Sequence, residues 1–115
     1  MKPQDNCIDY IEFQARDLEK IKEFYSTCFE WTFTDYGPEY TSFEDGRLAG
    51  GFRKTETEIC NGVLIVLYRA DLEGSKSRVE ASGGSITKDI FSFPGGQRFH
   101  FKDPSGNELA VWSDQ

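Results

Sequence analysis

The chain has 115 residues, a length that suits one compact domain with a core of its own. Its 13 basic and 20 acidic residues give a net charge of −7, which disfavours nucleic acid and anionic membranes as partners because both would repel it. The longest apolar run, Val63–Tyr68, is far shorter than a membrane span, and Met1–Asn6 lacks the apolar core of a secretion signal. We therefore expect a cytoplasmic protein without nucleic-acid or membrane partners, whose three widely spaced cysteines are reduced thiols.

The first half of the chain predicts one helix and four strands. Apolar and polar residues alternate before Asp17, as they do in a strand with one buried face, and Asp17 can cap the helix that follows. Apolar residues at helical spacing then continue to about Phe29. Aromatic and β-branched segments separated by turn residues such as Asp45-Gly46 follow the helix. The predicted elements are a strand over Cys7–Ala15, a helix over Leu18–Phe29, and strands over Trp31–Tyr36, Glu39–Glu44 and Arg47–Lys54.

The second half repeats this order after a polar connection over Thr55–Asn61. An apolar strand precedes Asp71, which is again a helix-cap candidate, and Gly83-Gly84 supplies the signal that ends the second helix. The predicted elements are a strand over Val63–Arg69, a helix over Leu72–Ser82, and strands over Ser85–Phe93, Gln97–Lys102 and Glu108–Ser113.

Both halves therefore have the order strand, helix, strand, strand, strand, with Asp17 and Asp71 at equivalent places. Such duplication predicts two similar modules, at about 5–56 and 60–114, within one domain over 1–115. A four-stranded sheet covered by one helix buries only one face, so two such sheets can curve around a shared cavity. We predict an α+β fold of two βαβββ modules that form a cupped, mostly antiparallel eight-stranded sheet, with one helix per module on the outside.

Three motifs carry a family resemblance. Arg16–Trp31 contains R-D-L-E-K followed by F-Y and F-E-W, Ala81–Gly84 is A-S-G-G, and Phe101–Leu109 is F-K-D-P-S-G-N-E-L. In this order and register they resemble the glyoxalase/bleomycin-resistance/dioxygenase superfamily, also called the vicinal oxygen chelate superfamily. The resemblance extends over nearly the whole chain and points to the short, glyoxalase-related bacterial branch.

The resemblance implies that metal-dependent relatives hold one divalent ion through side chains of the first, fourth, fifth and eighth strands. The corresponding positions here are Tyr10 in the first strand, Gly50 or Gly51 in the fourth, Leu64 in the fifth and Ala110 in the eighth. Tyrosine binds iron in some proteins, but leucine, alanine and glycine offer no donor side chain. We therefore predict no metal site and no cofactor.

His100 is the single histidine and holds the position three residues before the aspartate of D-P-S-G. On an alternating strand it shares a face with Arg98 and Lys102, while Phe99 and Phe101 take the opposite face. The resemblance implies that this position faces the cavity. Two interpretations stay open, a structurally bonded or surface histidine and a ligand contact or proton carrier.

Strand parity together with the resemblance predicts a lining that is apolar and aromatic with a few polar groups, which suits an organic ligand. Glu12 is the most informative member, because a carboxylate on an inward face needs a partner, for which Arg53 and Arg98 are candidates. Tyr68 and Trp112 are equally consistent with ordinary core. The predicted ligand-binding residues are Tyr10, Glu12, Leu64, Val66, Tyr68, His100, Ala110 and Trp112.

Three functions follow as hypotheses. The preferred one is a metal-independent small-molecule binding protein of the glyoxalase/bleomycin-resistance type, because aromatic residues remain where metal donors are absent. The alternative is a lyase, isomerase or dioxygenase-like enzyme that uses Glu12, Tyr10 and His100, or a metal site hidden from the motif alignment. The third is a structural subunit whose cavity is filled by side chains. Since family members often dimerise and sheet edges can pair, we also expect a homodimer.

Overall fold

The computed structural model describes Pro3, Asp5, Asn6 and residues 8–115. Within this described part of the chain, neither helix is long and apolar enough to cross a membrane. The elements in chain order are β1 (Tyr10–Ala15), α1 (Leu18–Phe29), β2 (Thr32–Asp35), β3 (Tyr40–Glu44), β4 (Ala49–Lys54), β5 (Ile65–Tyr68), α2 (Leu72–Ala81), β6 (Ser85–Phe93), β7 (Gly96–Lys102) and β8 (Glu108–Ser113).

The strands form two four-stranded sheets with equivalent topology, which confirms the predicted α+β fold of two βαβββ modules. The strand order is β1-β4-β3-β2 in the first sheet and β5-β8-β7-β6 in the second. In each sheet the first strand of the module runs parallel to the fourth, and the other pairs are antiparallel. No strand pairing among the described residues joins the two sheets into one hydrogen-bonded sheet.

Local signals place both helices where the sequence predicts them. The Asp17 side chain accepts a hydrogen bond from the backbone N–H of Lys20, and Asp71 does the same for Gly74. Helix α1 ends because Glu30 adopts a left-handed conformation, with φ of 61°, from which its N–H reaches the carbonyl of Ser26.

Strand ends agree less well with the sequence. Strand β4 begins at Ala49 rather than Arg47, because the Asp45 side chain accepts from the backbone N–H groups of Arg47 and Leu48 and lengthens the turn. Strand β5 begins at Ile65 rather than Val63. Strand β1 begins at Tyr10, and its predicted start at Cys7 lies outside the described residues.

One aromatic core joins the two modules. The ring of Tyr25 on α1 stacks on Trp31 at 4.4 Å and lies 5.4 Å from Phe52 of the first sheet. Phe24, on the same helix, lies 5.9 Å from Phe101 of the second sheet. Helix α1 therefore buries side chains against both sheets, and each sheet keeps its opposite face open.

The turn of the D-P-S-G motif holds the second module to the first strand. The buried Asp103 carboxylate accepts hydrogen bonds from Tyr25 and from several groups of its own turn. Asn107, fully buried, donates to Asp103 and to the backbone carbonyl of Gln14 at 2.8 Å. Burial raises the pKa of the Asp103 carboxyl, while the hydrogen bonds it accepts act in the opposite direction. The family motif is therefore a link between modules in this chain.

Candidate functional site

Each sheet has one face in the core and one open face. We call the side that carries Tyr10, Glu12 and Arg53 the first open face, and the side of the second sheet that carries Arg98, His100 and Trp112 the second open face. Strand pairing sets Val66 beside Ala110, Tyr68 beside Trp112, and His100 beside Ala110 on the second open face. The parity predicted for strands 5, 7 and 8 therefore agrees with the observed pairing of these residues.

A chain of hydrogen bonds runs across the first open face. The hydroxyls of Tyr10 and Tyr40 lie 2.5 Å apart, and Tyr40 donates to Oε1 of Glu12 at 3.1 Å. Because the single proton of Tyr40 goes to Glu12, Tyr10 must donate to Tyr40. Burial, with the contacts to Tyr10 and Glu12, raises the pKa of Tyr40, so this phenol remains protonated at neutral pH.

Arg53 is the charged partner of Glu12. Its Nε lies 3.8 Å from Oε2 of the carboxylate, and both side chains are about half exposed, so the attraction is weak. The sequence left Arg53 and Arg98 as candidate partners, and the structure selects Arg53. The first open face thus combines one carboxylate, one arginine and two phenols.

Gly51 explains how the tyrosines fit on the first open face. It pairs with Glu12 on β1, and a Cβ atom added at Gly51 would collide with the hydroxyl of Tyr40 and lie 2.7 Å from that of Tyr10. At Gly50 the added atom would instead meet the ring of Phe43 in the core. Of the two glycines that the sequence left open for the fourth strand, Gly51 is the one on the open side, and the phenols occupy the space above it.

The second open face has a different chemistry. The ring of His100 is buried, at 9% exposure, and its Nδ1 lies 3.4 Å from Oε2 of Glu108, which also accepts from Thr87. The indole of Trp112 meets Tyr68 edge to face at 5.2 Å. The Tyr68 hydroxyl donates to Asp114, and this bond raises the pKa of the phenol. Both Tyr68 and Trp112 remain within reach of solvent, unlike ordinary core residues.

The predicted site residues fall into two groups. Tyr10 and Glu12 line a groove of about 620 Å³ beside the segment 60–63. Val66, Tyr68 and Trp112 line a second groove of about 470 Å³, which also contacts the β3–β4 turn. His100 and Ala110 lie on the second open face, and Leu64 precedes β5 and is exposed. Among the described residues no hydrogen bond or ion pair joins the first group to the second.

The sequence did not predict several residues of these two faces. Tyr40 was not predicted because its link to Glu12 depends on β3 lying next to β4. Lys88, Phe91 and Phe93 of β6 were missed because they join His100 and Arg98 only through the pairing of β6 with β7. The aromatic content of Phe91-Ser92-Phe93 was the one available signal.

The donor set does not fit a metal ion of the kind expected in metal-dependent relatives. The family resemblance assigns Tyr10, Gly51, Leu64 and Ala110 to the four ligand positions, and only the first has a donor atom in its side chain. That phenol is engaged with Tyr40. In the part of the chain that the structure describes, no three histidine, cysteine or acidic side chains cluster as a metal site would require.

Paired βαβββ modules, each with a capped helix and an aspartate-anchored turn, define a duplicated α+β domain with open sheet faces. The family model of the Glyoxalase/Bleomycin resistance protein/Dioxygenase superfamily matches residues 7–111. The chain therefore belongs to this superfamily, and the resemblance seen in its motifs is confirmed. No curated protein matches the sequence.

Solved structures support the fold. The fosfomycin resistance protein FosX of Mesorhizobium loti is 15% identical, with a TM-score of 0.80 over 97% of this chain and 95% of that one. A mutant FosX of Listeria monocytogenes, in complex with Mn(II) and dihydroxypropylphosphonic acid, is 14% identical, with a TM-score of 0.83 over 97% and 93%. A family enzyme of Burkholderia phytofirmans is 16% identical, with a TM-score of 0.82 over 94% and 100%. Identities this low establish the fold alone.

Proposed function

We propose that this protein binds a small organic molecule without a metal ion. The observation that carries the proposal is the first open face at Gly51, where two phenols fill the space that a metal-binding side chain would need. The grooves of about 620 and 470 Å³ beside the open faces fall in the size range of ligand pockets. Both are lined by aromatic and apolar side chains together with charged groups, Glu12 and Arg53 in the first groove and Asp45, Arg47 and Arg69 in the second, a mixture that suits organic ligands with a polar group.

The enzyme hypothesis has less support. Without a metal ion it requires Glu12, Tyr10 and His100 to act on one substrate, but the first two lie on one sheet and His100 on the other. The Tyr10 hydroxyl also donates a hydrogen bond to Tyr40, and the Tyr40 hydroxyl donates one to Glu12. These phenols are therefore poor general bases at neutral pH. We retain acid–base catalysis as the second candidate because Glu12 itself remains half exposed and can reach a ligand.

The proposed function is tested by metal analysis and fragment binding. Purified protein is dialysed against a chelator, its metal content is measured, and binding of a library of small aromatic fragments is followed by fluorine NMR. We expect fragments to bind the chelated protein as well as the untreated one. A stoichiometric metal ion whose removal abolishes fragment binding would overturn the proposal.

A Glu12→Gln variant tests the first open face. The amide keeps the size of the side chain but removes the charge that Tyr40 and Arg53 contact. We expect weaker binding of fragments that carry an N–H or ammonium donor. Glu44→Gln is the matched control, because Glu44 is also an exposed strand glutamate of this sheet. Equal effects of both variants on fragment binding would show that Glu12 is not part of the binding site.

We further propose that the protein acts as a cytoplasmic homodimer. Apolar side chains remain exposed along the start of the second module and β5, with exposures of 73% for Val63, 42% for Val66 and 47% for Tyr68. Covering them with a second copy would remove apolar area from water. Light scattering measures the mass directly, and a monomer at micromolar concentration would contradict this proposal.

A further inference from the structure

The second open face gathers positively charged side chains on a protein that is acidic as a whole. Strand pairing sets Lys88 directly opposite His100, and Arg98 directly between Phe91 and Trp112. The three basic side chains therefore lie on one side of adjacent strands. Since the chain carries a net charge of −7, this grouping is more basic than the average surface of the protein.

Aromatic rings hold two of these cations. The guanidinium carbon of Arg98 lies 5.3 Å from the ring centre of Phe91 and 5.5 Å from that of Phe93. The Lys88 ammonium lies 4.8 Å from the centre of Phe91. Such contacts fix the cations without neutralising them, because a ring offers a partial negative charge but no counter-ion. A guanidinium fixed in this way loses little freedom when it binds a planar anion.

Polar atoms on this face are buried without partners. Nε of Arg98 and Nε2 of His100 are both shielded from solvent and have no hydrogen-bond partner among the described residues. Neither Lys88 nor Arg98 forms an ion pair within that part of the chain. Nε of Arg98 is always a donor, and a buried donor without an acceptor is unfavourable, so a ligand that supplies an acceptor would satisfy it.

Carboxylates near this face are already engaged. Glu108 faces Nδ1 of His100, and Asp114 accepts from the hydroxyl of Tyr68 and the side chain of Gln115. Because Glu108 contacts Nδ1, the other ring nitrogen of His100, Nε2, is left for a ligand. Nε2 donates to an anion when that nitrogen carries a proton.

We propose that the second open face binds an aromatic carboxylate, with the anionic group at Arg98, His100 and Lys88 and the ring against Phe93 and Trp112. Phe93 and Trp112 are half-buried, and their ring centres lie 6.4 Å apart, so they offer an apolar surface next to the cations. This inference rests on the proposed function, metal-free binding of a small organic molecule, and it names the ligand class and places the ligand on the second open face.

Three probes separate charge from ring binding: 2-naphthoate, the isosteric but uncharged 2-naphthamide, and inorganic phosphate. Each is titrated calorimetrically into the full chain after chelation. We expect 2-naphthoate to bind at least about tenfold more tightly than 2-naphthamide, as a charge-assisted hydrogen bond provides. Phosphate, which lacks the ring, should bind more weakly than 2-naphthoate. Equal affinity for the carboxylate and the amide would overturn the ligand class and leave small-molecule binding itself standing.

Variants locate the bound anion. Arg98→Gln should reduce 2-naphthoate affinity at least about tenfold and leave 2-naphthamide unchanged. Lys102→Gln is the matched control, because Lys102 lies on the same strand and side but makes no cation–π contact with Phe91 or Phe93, and it should change affinity less than about twofold. If Arg98→Gln does not fold, Lys88→Gln and Arg98→Lys repeat the test. Unchanged 2-naphthoate affinity in a folded Arg98 variant overturns the proposal.

Discussion

Replacing Asn107 with alanine should weaken the energetic coupling between the two modules. The change removes hydrogen bonds from its side-chain nitrogen to the Gln14 carbonyl at 2.8 Å and to Asp103 at 3.0 Å. It also removes the bond that Asn61 donates to its side-chain oxygen at 3.1 Å. Two neutral bonds and one charge-assisted bond at a fully buried site correspond to a loss of about 3 kcal/mol in the free energy of unfolding. For a domain of this length that lowers Tm by about 12 °C.

Urea unfolding followed by fluorescence measures this loss, and the two tryptophans report on separate modules. Trp31 lies in the core beside α1, whereas Trp112 lies on β8, so non-coincident transitions would show that the modules have uncoupled. The matched control is Asp45→Ala in the equivalent turn of the first module. Among the described residues the Asp45 side chain accepts only from the backbone of its own turn, so its loss should cost about 1 kcal/mol or less. If Asn107→Ala costs no more than this control, the link between modules is not energetically important.

Three further predictions concern the phenols. Because Tyr25, Tyr40 and Tyr68 have raised pKa values, fewer tyrosines should ionise near pH 11 in native than in urea-unfolded protein, as absorbance at 295 nm measures. The folded state then holds more protons, so stability is lost as pH rises through the folded pKa values, and a flat urea midpoint from pH 9 to 11 would contradict this. Tyr25→Phe should cost about 1–2 kcal/mol in urea unfolding, since Asp103 loses a donor. Gly51→Ala should displace the hydroxyl of Tyr40 and bring its pKa towards the ordinary value, and an unchanged NMR titration would refute the close packing.

Much of the fold follows from local chemistry. Asp17 and Asp71 cap their helices through bonds to residues three positions ahead, so both helix starts are visible in the sequence. The faces of β5, β7 and β8 in the second sheet follow from simple alternation, which places Val66, His100 and Trp112 on one side, as the pairing shows.

Alternation fails where the sheet is irregular. Strand β6 changes register on either side of Lys88, and these shifts turn Lys88 to the side of His100, whereas strict alternation from Ser85 places it on the other side. A bulge is decided by the neighbouring strand, so no local pattern predicts it. Lys88 was hidden for this reason, whereas Phe91 and Phe93 keep the alternation that begins at Ser85.

The sequence by itself determined the duplication, the helix caps, the turns and the family, because each depends on residues close together in the chain or on motifs in fixed order. Only the tertiary structure decided which side chains meet across strands, such as Tyr40 with Glu12. It also decided that Asn107 bonds to the carbonyl of Gln14, which lies in the other module. These contacts depend on strand register and on the packing of one module against the other. Both are settled by burial of the shared aromatic core rather than by neighbours in sequence.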